Sequence, residues 1–258
     1  MKPMILSRYF FAVIFVLAVA LPQSFARAET FVGSTVDSRI LIGFNVSSAG
    51  LQPMLPEGWV PIPYPRGPLA GANLLVSLID RALDLDPDGK PKTPPNSRAT
   101  TLLGLAKQDG GDEVRLFIYR VYTTAPGYDP YGNSMNAEVS RTASTGGAAN
   151  EGRSRSEVWN IAPENGGELD VSVAFTSGAR GWTSSEANPH SNINPDFSRI
   201  YRSDRLVDLA MSAPMGKPLA GEFGFSSTVP ELADIFDGTE EAIAILDMPV
   251  YVLKTYLP

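Results

Sequence analysis

Val36-Asp-Ser-Arg-Ile-Leu-Ile-Gly-Phe-Asn-Val46, followed by Ser47-Ser-Ala-Gly-Leu-Gln-Pro-Met-Leu-Pro-Glu-Gly-Trp59, is the stretch whose reading decides the fold. Ser38 to Val46 carries Ile, Leu, Phe and Val at the density of a largely buried strand. Ser47 and Ser48 supply an N-cap for one or two helical turns through Met54, which Pro56 stops. Leu55-Pro56-Glu57-Gly58-Trp59 is then a corner that sends the chain onward.

Downstream the same signals recur. Ala72 to Ile79 reads as a strand, and Asp84 to Pro95 as an exposed polar loop. Thr100 to Lys107 and Glu113 to Thr123 flank Asp109-Gly110-Gly111, a hairpin signal. In the second of these, alternation puts Leu116, Ile118 and Arg120 on one face and Phe117, Tyr119 and Val121 on the other. Met135 to Thr142 follows, then a hairpin of Ser154 to Ile161 and Leu169 to Thr176 around Asn165-Gly166. Ser177 to Asn194 reads as irregular. Phe197 to Ser212, Glu222 to Ser227, Ala242 to Met248 and Val250 to Leu257 complete roughly ten strands, with a short helix at Pro230 to Phe236. No repeat of 20–50 residues is visible, which argues against a propeller or solenoid. The expected fold is mainly β: a single-domain, closed or partly closed antiparallel β-barrel-like fold with a few short helices.

Upstream, Lys2 and Arg8 precede an apolar run from Tyr9 to Leu21, and Ala26-Arg27-Ala28 is an A-x-A cleavage site. Residues 1–28 read as a secretory signal peptide, and 29–258 as the folded domain. The product is expected in the periplasm or outside the cell, with no membrane span after cleavage. The leader holds three of the 21 basic residues and no acid, leaving 18 against 28 acidic residues, a formal charge of −10. Such a chain lacks the clustered cations that nucleic acid or an anionic membrane would need.

Composition excludes further chemistry. One histidine and no cysteine leave no usual ligand set for zinc, copper or haem, so neither metal nor cofactor is expected. Asp84, Asp86 and Asp88 lack the closing glutamate of a calcium loop. There is no Gly-x-Ser-x-Gly elbow to pair with His190, and no glycine-rich phosphate loop.

The opening strand, the Leu55–Trp59 corner and Gly71-Ala72-Asn73-Leu74 resemble the acetoacetate decarboxylase-like superfamily, with a fainter echo over Arg120–Arg141. Members begin with a strand, a short helix and a similar corner. The resemblance implies a β-barrel-like domain around a small-molecule cavity. In the decarboxylases a lysine in a Gly-x-Pro-Lys-Lys-like segment forms a Schiff base with a β-keto acid. The corresponding stretch here, Gly132-Asn133-Ser134-Met135-Asn136-Ala137-Glu138, has no lysine.

Polar residues on predicted strands are the remaining candidates. Arg39 sits inside the opening strand, where an unpaired arginine is costly to bury. Arg120 and Glu138 follow on strands expected to be neighbours. The expected ligand-binding set is Arg39, Arg120 and Glu138, with arginine holding a carboxylate or carbonyl oxygen and Glu138 moving a proton. The competing reading is an Arg–Glu bridge that ties strands together. The function expected is an exported protein that binds a small carboxylate or carbonyl compound without Schiff-base chemistry. A lyase or hydrolase acting on a keto or hydroxy acid is the alternative. A structural protein presenting loops Ser144–Gly152 and Ser177–Asn194 is a second. Turnover and oligomeric state are left open.

Overall fold

The computed structural model describes residues 28–148 and 152–258, so the predicted leader lies outside the described residues except for Ala28. The elements are β1 (Thr30–Asn45), α1 (Ser48–Leu51), β2 (Trp59–Ile62), β3 (Leu74–Leu85), β4 (Ser97–Gln108), β5 (Val114–Thr123) and β6 (Ser134–Gly146). There follow β7 (Ser154–Pro163), β8 (Leu169–Thr176), β9 (Gly181–Ala187), β10 (Pro189–Ser191), β11 (Ile200–Ser212), β12 (Gly221–Ser227) and β13 (Glu241–Leu257). Single 3-10 turns occupy Gln52–Met54 and Pro230–Leu232.

The strands form one hydrogen-bonded path, β12-β8-β7-β6-β5-β4-β3-β1-β13-β11-β9, with β10 on β5 and β2 on β4. That path is open, with free edges at β12 and β9, so the barrel is not closed. Among the described residues no helix is long and apolar enough to cross a membrane.

The opening stretch behaves as its sequence dictates. Ser47 Oγ accepts from Gly50 N at 3.3 Å and caps α1. Gly58 turns the corner at φ 80°, where a Cβ would be strained. In β1, Ile40, Ile42 and Phe44 are buried on one face while Asp37, Arg39 and Leu41 take the other. The first set joins Val76, Leu78, Leu102, Trp159, Ile161 and Val171 in the main core, where β6, β7, β8 and β12 pack over the larger sheet.

Several boundaries differ from expectation. Asp84 is buried at the end of β3 rather than in a solvated loop, because Lys92 and Arg81 neutralise it. The two closing strands are one, β13; Pro249 lies where pairing with β1 skips between Met248 and Tyr251, so its missing N–H is accommodated. Ser177–Asn194 contains β9 and β10, and 200–212 is strand throughout.

The larger sheet curls. Five strand spacings separate β5 from β11 on the path, about 24 Å if flat. Yet Tyr131, in the loop after β5, donates to the Tyr201 hydroxyl of β11 at 2.8 Å. The residues after β10 run directly into β11. The second face of β1, β3, β13 and β11 is therefore concave, with Tyr131, Phe197 and Tyr201 packed together over it.

Candidate functional site

Four adjacent strands place one lateral row on the concave face: Arg205 (β11) opposite Tyr251 (β13), Tyr251 opposite Asp37 (β1), and Asp37 opposite Arg81 (β3). Directly opposed residues share a face, so the row follows from strand register. Asp37 is 3 % exposed. It accepts from Arg39 Nη2 at 2.5 Å and Nε at 3.2 Å and from Thr35 Oγ1 at 3.0 Å, with Arg81 Nε at 3.5 Å. Arg39 also stacks on the Tyr251 ring, 3.8 Å from its centroid, and Arg205 approaches the same ring at 5.8 Å.

The charges in this cluster do not balance. Among the described residues Arg39, Arg81, Arg205 and Lys92 face two carboxylates, Asp37 and Asp84, in a chain whose net charge is −7. Among the described residues Arg205 has no carboxylate partner, and its buried Nε has no hydrogen-bond acceptor. Burial disfavours the charge on Arg39, but Asp37, Tyr251 and Tyr201 outweigh it and hold the guanidinium above its ordinary pKa. Burial likewise pushes up the hydroxyls of Tyr131 and Tyr201. Both keep their protons, and because Tyr131 donates to Tyr201 the latter has its own O–H to spare. The arrangement offers guanidinium and phenol donors to an anion.

The three residues expected to form the site do not converge. Arg39 is in the concave cluster. Arg120 is on the opposite face: Leu103 pairs with Ile118 but Leu102 with Arg120, so a bulge at Tyr119 breaks the alternation. Arg120 turns toward Tyr122, and both grip Glu231, at 2.5 Å and 2.6 Å. Glu138 is exposed, because the buried neighbours Ala137 and Val139 fix the inward face of β6. The Arg39 partner was legible as Asp37-x-Arg39, two residues apart on one strand face. Arg81, Arg205 and Tyr251 could not be added without the register.

No family model and no curated protein matches the sequence. Solved structures do match the fold. The enduracididine biosynthesis enzyme MppR, complexed with pyruvate, superposes with a TM-score of 0.55 at 10 % identity, covering 91 % of this chain and 91 % of that one. An acetoacetate decarboxylase-like enzyme from Sphingomonas wittichii RW1 gives 0.51 at 13 % identity, covering 88 % and 91 %. This chain has an acetoacetate decarboxylase-like fold. At such identities the likeness is one of fold alone.

Within this acetoacetate decarboxylase-like fold, the lysine-free segment Gly132–Glu138 leaves a structural turn at Gly132-Asn133 and continues as the start of β6. Asp129 accepts from the backbone of Asn133 and Ser134 and from the Ser134 hydroxyl. Asn133 is buried and donates to Ile118 O at 2.7 Å. What the turn delivers to the concave face is Tyr131. Lys92 is the lysine in the cluster, and it is ion-paired with Asp84 at 2.9 Å and lies over Tyr128 at 4.5 Å. His190 is half-buried, its Nδ1 2.9 Å from Pro195 O, rather than free in a loop.

A second ionic network lies between the sheets. Glu157 (1 % exposed) receives Arg141 Nε and Nη2 at 3.1 and 2.8 Å, Arg155 Nη2 at 2.5 Å and Trp159 Nε1 at 2.8 Å. Arg141 also reaches Asp80, which holds Arg98 at 3.1 Å. With its carboxylate lone pairs committed to four donors, Glu157 is a structural hub. Asp247 is fully buried beside it, 2.9 Å from Arg155 and 3.9 Å from Arg180, and opposite Asp208 in register. Burial raises its carboxyl from 3.8 to about 6, against the pull of Arg155. Between those values the folded state binds more protons than the unfolded state, so stability falls as pH rises through that window. The loss is on the order of 3 kcal/mol at 1.36 kcal/mol per unit. Urea titrations at pH 4.5 and 7.5 should show about 2 kcal/mol of that loss in the wild type and not in Asp247→Asn. An equal pH slope in both proteins would remove Asp247 as its cause.

Proposed function

We propose that residues 29–258 form an exported, single-domain small-molecule-binding protein that takes a small carboxylate or carbonyl compound at the concave cluster, without Schiff-base chemistry. The observation that carries this reading is the cation excess around one aromatic wall: three guanidiniums, one of them without a carboxylate, beside Tyr251 and the spare Tyr201 hydroxyl. Arginine presents a fork of donors that matches a carboxylate, and in a buried setting that match is worth more than at a surface. The pyruvate complex of MppR is consistent with such a ligand on this fold. Export rests on the leader pattern of residues 1–28.

In this reading Arg39 supplies a donor to the site, whereas Arg120 ties β5 to the Pro230–Leu232 turn and Glu138 meets solvent. Among the described residues the lysine of the cluster, Lys92, is engaged by Asp84, which favours binding over lyase chemistry.

A thermal-shift titration with pyruvate and with small hydroxy and aromatic acids tests this. A ligand at 100 times its Kd stabilises by about 2.7 kcal/mol, and that saturable rise should vanish in Arg205→Gln. Arg205→Gln is the informative variant because it leaves Asp37 paired, whereas Arg39→Ala also exposes that buried carboxylate to a lost partner. No rise with any acid, or a rise that survives both substitutions, would rule the concave cluster out.

A further inference from the structure

We infer that β9 is a self-pairing edge through which two copies of this chain associate, each adding its sheet to the other's. β9 ends the sheet path and is hydrogen-bonded on one side only. Within its seven residues there is no lysine, proline or register break, three devices that blunt exposed edges, and its one charged residue, Glu186, is paired with Arg202 of the same chain. It also carries Trp182, 61 % exposed, whereas Trp59 and Trp159 are buried. Trp182 sits opposite Leu206, which sits opposite Val250, itself 39 % exposed, so an apolar strip runs inward from the edge.

The strand is complementary to itself. Antiparallel pairing of Gly181–Ala187 over its whole length places the two-fold axis at Ser184. Thr183 then faces Ser185 of the second copy, a hydroxyl pair of the kind that stabilises strand pairing. Trp182 faces Glu186 of the second copy. In each chain Glu186 Oε2 accepts from Arg202 Nε at 2.8 Å, and Arg202 is directly opposite Glu186 in register. Each indole therefore comes to rest against a Glu186–Arg202 pair, where the guanidinium supplies a cation–π partner and the ring is withdrawn from water. The acidic residues of the two strands avoid each other in this register. An isologous contact of this sort closes as a dimer and goes no further.

Sedimentation of the purified protein across a dilution series tests the inference, read beside acrylamide quenching of tryptophan fluorescence. The expected result is a mass of two chains at high concentration, with Trp182 protected from quenching there and accessible on dilution. Ser184→Lys should abolish the dimer, because the two lysines would face each other on the axis. Within one chain that lysine lies beside Asp204, which already holds Ser184 at 2.5 Å, so the fold is retained and circular dichroism should be unchanged. Trp182→Ser should weaken the dimer without unfolding it. A monomer at every concentration overturns the inference, and so does a dimer that persists undiminished in both variants. Capture of a foreign strand by a monomeric protein would overturn it equally.

Discussion

Glu157→Ala is expected to lower the unfolding free energy by about 3–5 kcal/mol, the range for removing one partner of a buried ion pair. The magnitude follows from what is left behind. Arg141 and Arg155 lose the carboxylate that both hold, and the buried Trp159 Nε1–H loses its acceptor. Arg141 keeps Asp80 and Arg155 keeps Asp247, so the network does not scatter. It does become more cationic, with Arg98, Arg141, Arg155 and Arg180 against Asp80 and Asp247. Glu157→Gln separates charge from shape, since it retains an acceptor for Trp159 but not the ion pairs. Urea unfolding of both variants measures the effect. A loss below about 1 kcal/mol in the alanine variant would place the network in the class of solvated surface pairs and would contradict its burial.

How far the sequence disclosed this arrangement can be judged from the same residues. Most of the strands, the Ser47 cap, the Gly58 corner and both glycine hairpins were legible because each depends on neighbours in the chain, whereas β9 and β10, polar and short, were not. Burial of Glu157 was not, since it depends on Arg141 and Arg155 being brought together by the β6–β7 pairing and on a facing sheet contributed by β3 and β13. The Arg120 error has a local physical cause: one inserted residue at Tyr119 reverses the face that a period of two assigns. Glu138 was misplaced for want of the simplest cue, as Ala137 and Val139 on either side already marked the buried face. The Arg205–Tyr251–Asp37–Arg81 row draws on β11, β13, β1 and β3, which are far apart in sequence. Only pairing puts them in line, and so a binding cluster read from one stretch of chain could include Arg39 but not the residues that give it excess charge.

Gly50→Ala is expected to cost about 3 kcal/mol, the upper end for an overpacked core. Gly50 lies in α1, in an ordinary helical conformation, so alanine's helix propensity would by itself favour the substitution. Space decides against it. A Cβ at this position falls 1.9 Å from the backbone oxygen of Asp234 and 3.1 Å from Ile235 N. No rotamer can relieve an overlap with main chain, so α1 or the segment after the Pro230–Leu232 turn must move. That turn carries Glu231, the shared partner of Arg120 and Tyr122, and Leu232, Ile235 and Phe236 belong to the main core. Displacing the segment therefore strains an ion pair and a core edge together. Two readouts separate this from a general loss of stability. The unfolding free energy of Gly50→Ala should fall, and the further cost of Glu231→Gln should be smaller in that background than in the wild type, because the contact with Arg120 is already weakened. A Gly50→Ala protein within about 0.5 kcal/mol of wild type, with Glu231→Gln costing the same in both backgrounds, would mean that the opening helix and the last turn of the chain are not packed as closely as Gly50 and Asp234 require.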